Sequence, residues 1–442
     1  MNQSQKDSLP RWIVAQEGSR QTYGVPLAFH RLGMLRLLYA DIWWRWGRSL
    51  MKRGPAGARA LATRFNSEIP LDRIVSFTPT AALWRATQNL RHTKPSRFQM
   101  SEEFNHFGRW FALRVRQHLD KLKLDPEADH FFGFNSNCLE VLEFLKERRI
   151  FTVLDQVDPG LVEENIVLEE AERWPGWEGI PGRVSQSYWS RVKAEWEIAN
   201  VVLVNSEWSL EALVQQGVPR QKIIVVPLAI DHPHDHMPEP VNTDGNLKVM
   251  WLGSVILRKG IQYLVEAARR LQNQNIEFLV AGTLGVSKEA VQSFPPNIKL
   301  LGRITRDRLD EVYRQAHVFV LPTISDGFAI TQLEAMAHGL PVITTPNCGR
   351  VVTNGVDGFI VPARDGQALA DALVRFDTDR SLLREMSHNA LQTVKKYDLP
   401  SNARLIQDLV LKYRAAAERP AVASTSTHRG VRVKLHSESI RQ

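Results

Sequence analysis

Short apolar runs alternate with helical patterns throughout the C-terminal half of the chain. Helical periodicity over 261–271 and 331–338 separates four strand-like runs, which are Lys248–Leu252, Glu277–Val280, His317–Leu321 and Pro341–Thr344. Such alternation is typical of βαβ units that form a parallel sheet. The run Val318–Leu321 is apolar at every position, as expected of a strand that helices cover on both faces.

The N-terminal half shows the same alternation less regularly. A helical pattern at Leu139–Arg148 accompanies four runs typical of core strands, namely Trp12–Ala15, Phe131–Phe134, Phe151–Leu154 and Val201–Val204. With 442 residues, the chain is too long for one ordinary domain. The pattern therefore predicts an α/β protein with two domains, each built on a parallel sheet.

Composition marks the ends and the middle of the chain. The segment Asp231–Asn246 is rich in Pro, His, Asp and Asn, as in a hinge, and the tail after Pro420 has too few apolar groups to fold.

The N-terminus Met1–Pro10 lacks the apolar core of a signal peptide, and no run of 18 apolar residues occurs. Cys138 and Cys348 have no ligand-like spacing. We therefore expect a cytoplasmic protein without disulfides or a zinc site.

The net charge of +8 is concentrated near the N-terminus, where 31–64 contains eight basic residues and one acid. Within it, 31–53 mixes basic residues with leucines and with Trp43, Trp44 and Trp46. As an amphipathic helix, this segment would suit an anionic membrane surface, and the acceptor would then be lipid-linked. The alternative is an ordinary amphipathic helix that packs on the N-terminal domain. No nucleic-acid module is recognised, so nucleic acid is not expected as a partner.

The first motif with chemical content is Trp251-Leu-Gly-Ser-Val-Ile-Leu-Arg-Lys-Gly260, a strand end and a glycine-containing loop before a helix. Arg258 and Lys259 lie where that helix begins, and cations there oppose the positive end of the helix dipole. An anion would complete the site, because the N–H groups of a helix start favour phosphate. The alternative is a solvated basic turn.

The second motif is Ser325-Asp-Gly-Phe-Ala-Ile-Thr-Gln-Leu-Glu334, which Ala-Met-Ala-His-Gly-Leu-Pro-Val follows. Asp326 follows a strand, Gly327 permits close backbone approach, and Glu334 lies on the next helix. Both carboxylates are thus expected at the carboxyl-end crevice where parallel α/β sheets bind ligands. The alternative for Glu334 is a capping box formed with Thr331, in which it only satisfies the helix start.

Together, these two motifs resemble the donor-binding region of glycosyltransferase family 4, the group 1 glycosyltransferases, across roughly 249–362. The resemblance implies a GT-B fold, in which two Rossmann-like domains face each other across a cleft and C-terminal helices cross back to the first domain. We expect an acceptor domain at 1–236, a linker at 237–246, a nucleotide-sugar domain at 247–396 and a crossover helix at 397–419. A disordered basic tail would occupy 420–442.

The resemblance also implies roles for individual residues. Lys259 and Arg258 would neutralise the donor diphosphate, Asp326 would contact the transferred sugar, and Glu334 would hold the ribose. Backbone amides from Gly327 through Ile330 would hold the sugar and phosphate, and Gly302-Arg303-Ile304 would read the nucleobase. The donor-binding candidates are therefore Gly253, Ser254, Arg303, Ile304, Gly327, Phe328, Ala329, Ile330 and Thr331.

Two positions depart from the family pattern. The first signature carboxylate is Asp326 instead of Glu, one methylene shorter, so the sugar or its position differs. Ser254 stands where many relatives have Arg, and Arg258 is the residue that could supply the missing charge.

The same resemblance assigns the acceptor to the N-terminal domain. Tyr23-Gly24 partly matches a glycine pair found near the donor phosphates of relatives, and Asn135 stands near the position of a strand-end histidine. Asp155 and Asp158 could orient acceptor hydroxyls, although Asp158-Pro-Gly could equally be a plain turn.

No metal or other cofactor is expected. No convincing Asp-x-Asp pair occurs, and the metal-like tract Asp231-His-Pro-His-Asp-His236 lies at the hinge. We find no enzymatic nucleophile, so retention would follow the family's front-face route.

The sequence thus predicts a retaining, metal-independent glycosyltransferase that uses a nucleotide-diphosphate sugar, with UDP preferred over GDP. Its acceptor would be a saccharide or a lipid-linked molecule of cell-surface polysaccharide or glycolipid synthesis. The alternatives are a sugar-nucleotide-binding protein with weakened catalysis and another GT-B enzyme, such as a sugar-phosphate synthase.

Overall fold

The computed structural model describes residues 10–51, 54, 56–89, 96–180, 182–231 and 245–417. Two parallel sheets organise them. The strands of the first sheet are β1 (Arg11–Gln16), β2 (Leu35–Ala40), β3 (Ile74–Ser76), β4 (Asp129–Phe134), β5 (Phe151–Gln156), β6 (Val201–Val204) and β7 (Ile223–Val225). Those of the second are β8 (Leu247–Leu252), β9 (Ile276–Ala281), β10 (Ile298–Gly302), β11 (Val318–Leu321), β12 (Val342–Thr344) and β13 (Gly358–Ile360).

Helices cover both sheets. Those of the first half are α1 (Gly24–Arg31), α2 (Arg48–Met51), α3 (Ala56–Ala62), α4 (Thr78–Asn89), α5 (Arg97–Leu119), α6 (Leu139–Glu147), α7 (Leu161–Arg173), α8 (Gln186–Ile198) and α9 (Glu207–Gln215). Those of the second are α10 (Ile261–Arg270), α11 (Lys288–Gln292), α12 (Arg306–Arg314), α13 (Thr331–Ala337), α14 (Gly366–Thr378), α15 (Arg380–Val394) and α16 (Leu399–Ala417).

Each sheet reverses its strand order once. The first runs β3-β2-β1-β4-β5-β6-β7 and the second runs β10-β9-β8-β11-β12-β13. Connections on either side of the reversal lie on opposite faces of the sheet, so a crevice opens at the carboxyl ends of β1 and β4, and of β8 and β11. The loops after β8 and β11, which carry the two sequence motifs, therefore meet at one such crevice.

Helix α16 ties the end of the chain to the first sheet. Ala403 and Ile406 are buried in the same apolar cluster as Trp12 and Phe29. The Trp12 indole Nε1 also donates to the Gln407 Oε1 over 2.9 Å. The crossover back to the N-terminal domain is confirmed, and with it the predicted arrangement of two Rossmann-like domains.

The prediction of an amphipathic helix at 31–53 is wrong. Leu35–Ala40 is strand β2, which pairs with β1 on one side and β3 on the other. Arg36 pairs with the fully buried Asp129, so its charge serves the fold instead of a membrane face. Trp43 is 8% exposed whereas Trp46 is 67% exposed, so the tryptophans do not form one continuous surface.

The structure also bears on the expectations about membrane-spanning helices, the hinge, the tail and the strands. No described helix is both long and apolar enough to cross a bilayer. Most of the predicted hinge, and the whole of the predicted tail, lie outside the described residues. The strands that the sequence interpretation missed are β2, β3, β7, β10 and β13.

Candidate functional site

Close backbone packing and hydrogen bonds join the loops that follow β8 and β11. Residues Leu257–Lys259 form a 3₁₀ turn, and Gly260 follows with a φ of +74°. A Cβ at Gly260 would lie 1.8 Å from the Pro322 carbonyl oxygen, so this close approach requires glycine. The Arg258 carbonyl accepts hydrogen bonds from the Ile324 N–H and the Thr323 hydroxyl, each over 3.0 Å. The two sequence motifs are therefore held as one unit.

Lys259, Arg258 and Asp326 meet in this unit. The Lys259 ammonium donates to Asp326 Oδ2, and an Arg258 guanidinium nitrogen lies 3.6 Å from the same oxygen. Burial alone would raise the pKa of Asp326, but the charges of Lys259 and Arg258 and the hydrogen bonds to its carboxylate outweigh burial and lower that pKa. Two cations therefore share the ionised Asp326 carboxylate at the end of the sheet.

The other oxygen of Asp326 organises its own loop. Asp326 Oδ1 accepts the backbone N–H groups of Phe328 and Ala329, over 3.2 and 2.9 Å. Ala329 has a φ of +62°, an uncommon conformation that these bonds stabilise. The predicted amide series from Gly327 to Ile330 is thus not wholly available to a sugar or phosphate, because Asp326 already engages two of its members.

Glu163 is a site residue that sequence reasoning missed. It lies in the first turn of α7, in the N-terminal domain, and accepts the Ser325 hydroxyl over 2.9 Å. An Arg258 guanidinium nitrogen lies 3.4 Å from the same carboxylate. Burial chiefly raises the pKa of Glu163 to about 7, which Arg258 opposes and the charges of Asp158 and Asp326 reinforce. An acid in the first turn of a helix is ordinary, so the sequence contained no signal for this contact across the cleft.

Glu334 does not cap its helix. Helix α13 begins at Thr331, Ile330 occupies the N-cap position, and no side chain caps it. The capping-box interpretation is therefore wrong, because Thr331 already lies inside the helix. The Glu334 carboxylate instead accepts the Tyr313 hydroxyl over 3.3 Å, and the Tyr313 ring stacks on His338 at 4.6 Å.

The remaining donor-side candidates lie at strand ends of the second sheet. Gly253 directly follows β8, and its N–H donates to the Ala281 carbonyl. Ser254 and Arg303 are exposed, whereas Ile304 is half-buried against an apolar cluster. That Arg258 supplies the charge absent at Ser254 stays a prediction.

Two of the acceptor-side candidates do not line the cleft. Tyr23 is fully buried, its hydroxyl donates to the Ile42 carbonyl, and its ring packs 4.9 Å from that of Trp43. Gly24 is buried at the start of α1, where a Cβ would contact Leu399 of the crossover helix. Burial takes the Tyr23 ring into the core, and the partial match of Tyr23-Gly24 to the glycine pair of relatives stays a prediction.

The other three acceptor-side candidates lie together at the ends of β4 and β5. The Asn135 N–H donates to the Asp155 carbonyl over 3.0 Å, and the Asn135 side-chain oxygen accepts the Val157 N–H over 3.4 Å. Asp158 Oδ1 accepts the Gly160 N–H over 2.9 Å, which is the plain turn considered above. Asp158 also lines a pocket between the domains that reaches Arg258. It therefore serves the turn and lies at the cleft.

Asp155 is the buried acid of this group, and it makes stability depend on pH. Burial chiefly raises its pKa from 3.8 to about 7; the charge of Arg20 opposes the rise and that of Asp158 adds to it. Its stabilising contribution is thus complete below pH 3.8 and is lost as the pH rises through 7. We expect the melting temperature of Asp155→Asn to rise above wild type between pH 5 and pH 8, by about 2–4 °C for each kcal/mol.

Thermal unfolding at several pH values tests this prediction. The matched control is Asp72→Asn, because the Asp72 side chain is 79% exposed. A difference between Asp155→Asn and wild type that stays constant with pH would contradict it.

Contacts across the cleft hold the 325–327 turn. The Trp208 indole donates to the Ser325 hydroxyl over 3.1 Å, and the Ser209 hydroxyl donates to the Gly327 carbonyl over 3.4 Å. A Cβ at Gly327 would lie 2.1 Å from the Val157 carbonyl oxygen of the opposite domain. The turn that carries Asp326 is therefore also one of the contacts between the two domains.

The described residues contain no group of three or more His, Cys, Asp or Glu placed to hold a metal ion. The metal-like tract at 231–236 lies outside them except for Asp231, which pairs with Arg31. The absence of a metal requirement therefore stays a prediction.

Comparison with known sequences concerns mainly the second domain. Residues 246–379 match the sequence model of the family described as Glycosyl transferases group 1. The capsular polysaccharide biosynthesis glycosyltransferase CapM of Staphylococcus aureus is 31% identical over 160 residues, which are 34% of this chain and 42% of CapM. Sucrose-phosphate synthase of Zea mays is 38% identical over 100 residues, 21% of this chain and 9% of that protein. The match thus spans less than half the length of either relative.

Solved structures resemble nearly the whole chain. Anabaena HepE in complex with UDP and glucose has a TM-score of 0.58 and 14% identity, covering 91% of this chain and all of that one. Sucrose-phosphate synthase from Thermosynechococcus elongatus has a TM-score of 0.58 and 18% identity, covering 92% of this chain and all of that one. At such identities the comparison concerns the fold, and the predicted GT-B fold is confirmed.

Proposed function

We propose that this chain transfers a sugar from a nucleotide-diphosphate sugar to an acceptor hydroxyl, with retention, because residues 246–379 match the sequence model of the group 1 glycosyl transferases. The observation that carries the proposal is the cluster of Lys259, Arg258 and Asp326 at the strand-order reversal of the second sheet. Two cations held in place by the carboxylates of Asp326 and Glu163 suit a site where negative charge develops on a leaving diphosphate.

The donor would lie with its diphosphate on Lys259 and Arg258. These cations stabilise the charge that grows as the glycosidic bond breaks, and their fixed positions reduce the reorganisation needed at that moment. Asp326 would turn from its lysine partner toward the transferred sugar, and Glu334 would hold the ribose. Retention by a front-face route, and the absence of a metal, follow from the family resemblance as parts of the proposal.

UDP is the base we favour over GDP. A solved structure with the same fold contains UDP and glucose, and another solved structure of the same protein contains UDP-glucose. Names of relatives, among them CapM and a colanic acid biosynthesis glycosyltransferase of Escherichia coli, support an acceptor in cell-surface polysaccharide or glycolipid synthesis. The acceptor would bind to the N-terminal domain near Asp155 and Asp158.

A second candidate function is a sugar-phosphate synthase on the same fold. The 38% identity to maize sucrose-phosphate synthase over 100 residues favours it, although the matched segment makes up only 21% of this chain. The acceptor would then be a sugar phosphate, and transfer would fall when the phosphate is removed from it. A binding protein with weakened catalysis would retain nucleotide affinity without cleaving the donor.

Calorimetric titration of UDP, GDP and ADP in the presence of EDTA tests the donor site. We expect UDP to bind wild type, and the double variant Lys259→Ala/Glu334→Ala to lose that binding, because it removes a diphosphate cation and the ribose carboxylate. Lys299→Ala is a matched control, since Lys299 pairs with Glu277 away from the site and its side chain is 64% exposed. If none of the three nucleotides binds wild type, the donor assignment is refuted.

A further inference from the structure

A pocket of about 530 Å³ lies in the N-terminal domain, beyond the residues assigned to the donor. Its apolar wall is formed largely by α4 and α5, and it includes Ile42, Leu61, Trp84, Phe104 and Phe107. The charged residues Glu17, Arg64, Arg85 and Glu103 also line it, Glu103 from α5. A pocket with one polar side and a wide aromatic wall is typical of a ligand that is itself part polar and part apolar.

This pocket adjoins a second pocket at the cleft between the domains. Met100 and Phe104, on α5, line both the 530 Å³ pocket and a second pocket of about 290 Å³. The second pocket is also lined by Asp158, Glu163 and Arg258. A ligand that extends past Met100 and Phe104 would occupy both pockets and reach from Arg258 to the aromatic wall.

The polar side lies between the reaction centre and the apolar wall. Arg85 lies 3.2 Å from Glu17 and 3.0 Å from Asp41, and Asp41 also pairs with Arg64 over 3.0 Å. Arg20 is electrostatically coupled both to Glu17 and to Asp155. Charged groups thus line one side of the pocket, where they would hydrogen-bond the hydroxyls of a headgroup.

The apolar character continues to the surface. Leu83 on α4 is 66% exposed, and Phe98 and Phe104 on α5 are 55% and 51% exposed. The Arg85 guanidinium lies over the Phe107 ring at 5.0 Å, which marks the boundary between the polar side and the aromatic wall. A purely saccharide acceptor would leave this wall uncovered, whereas an apolar chain would bury it.

We propose that the acceptor is an amphiphile. Its hydroxyl-bearing headgroup lies between Asp158 and the Glu17–Arg85 pair, and its apolar chain occupies the 530 Å³ pocket. The proposal rests on the proposed function, because it places the acceptor of that reaction. It also places the apolar recognition mainly on α4 and α5, with Ile42 as the contribution of the segment 31–53.

Binding of alkyl glucosides to the full chain tests the pocket. Methyl and octyl β-glucoside are titrated below the micellar concentration, with and without UDP, into wild type and Ala82→Trp. Ala82 lines the pocket, so tryptophan there would fill it. We expect octyl glucoside to bind wild type about tenfold or more tighter than methyl glucoside, because several methylenes are buried. Ala82→Trp should abolish that difference.

Two further variants separate pocket binding from other effects. Ala415→Trp adds the same side chain to an exposed position of α16 and should retain the preference for octyl glucoside. Phe104→Ser changes a half-exposed residue and should weaken octyl glucoside binding without unfolding the domain. Equal binding of both glucosides, or an unchanged preference in Ala82→Trp, overturns the proposal. Because UDP affinity is measured in the same samples, loss of the donor site would appear separately.

Discussion

Lys259→Ala should lower the rate of sugar transfer by about a hundredfold or more, the loss typical of removing one group that stabilises developing charge. Lys259 reaches Asp326 beside Arg258, and its side chain is 16% exposed, so water cannot readily replace it. The loss should appear mainly in kcat, because the ammonium interacts more strongly with the departing diphosphate than with the intact donor. Release of the nucleoside diphosphate from the donor measures it.

Loss of the lysine also removes a partner from a buried carboxylate, so stability must be measured beside activity. Asp326 keeps Arg258 at 3.6 Å and the amides of Phe328 and Ala329, so the fold should survive. Lys299→Ala should retain the wild-type rate. A Lys259→Ala variant that melts like wild type and transfers sugar at the wild-type rate would refute the role given to Lys259.

The second sheet was predictable because its sequence repeats one local pattern. Val318–Leu321 is apolar at each position and is fully buried as β11, and the helical period at 261–271 became α10. Periodicity reports burial, and burial here follows the simple rule that helices cover both faces of a parallel sheet. The strand β10 was missed because it lies at the sheet edge, where all of its residues are half-buried or exposed, as in a loop.

Segment 31–53 misled the sequence interpretation because its charges have partners far away in the chain. Arg36 pairs with Asp129 and Arg31 pairs with Asp231, and neither pairing can be inferred from local spacing. With those charges unassigned, the leucines and tryptophans resemble one face of a helix. Strand β2 forms because the sheet supplies neighbours on both sides, and that is information from the tertiary structure.

Some residues of the candidate site could be predicted from the sequence, and others could not. Lys259, Arg258 and Asp326 were predictable because a strand-order reversal brings the ends of β8 and β11 together. Glu163 was not, because its role depends on how the two domains face each other. Glu163 contacts Ser325 and Arg258 across the cleft. A sequence pattern within one domain does not predict contacts between domains.

Gly327 lies where the two domains touch, so a side chain at this position would push the domains apart. A Cβ there would lie 2.1 Å from the Val157 carbonyl oxygen and 3.3 Å from the Asp158 Cα, both in the opposite domain. The two domains can relieve this clash by separating, so each should stay folded. Gly327→Ala should bind UDP about as tightly as wild type, since the nucleotide site is in one domain, but transfer should fall about a hundredfold, because misplacement by about 1 Å has that effect.

Gly260→Ala is the contrasting variant. Its Cβ would lie 1.8 Å from the Pro322 carbonyl oxygen within one domain, and the φ of +74° disfavours alanine as well. Separation of the domains cannot relieve that clash, so Gly260→Ala should lower both the melting temperature and UDP affinity. Calorimetry, thermal unfolding and transfer kinetics on the two variants distinguish these effects. Wild-type transfer by Gly327→Ala would mean that the contact at Val157 is absent when sugar is transferred, and that catalysis occurs with the domains farther apart.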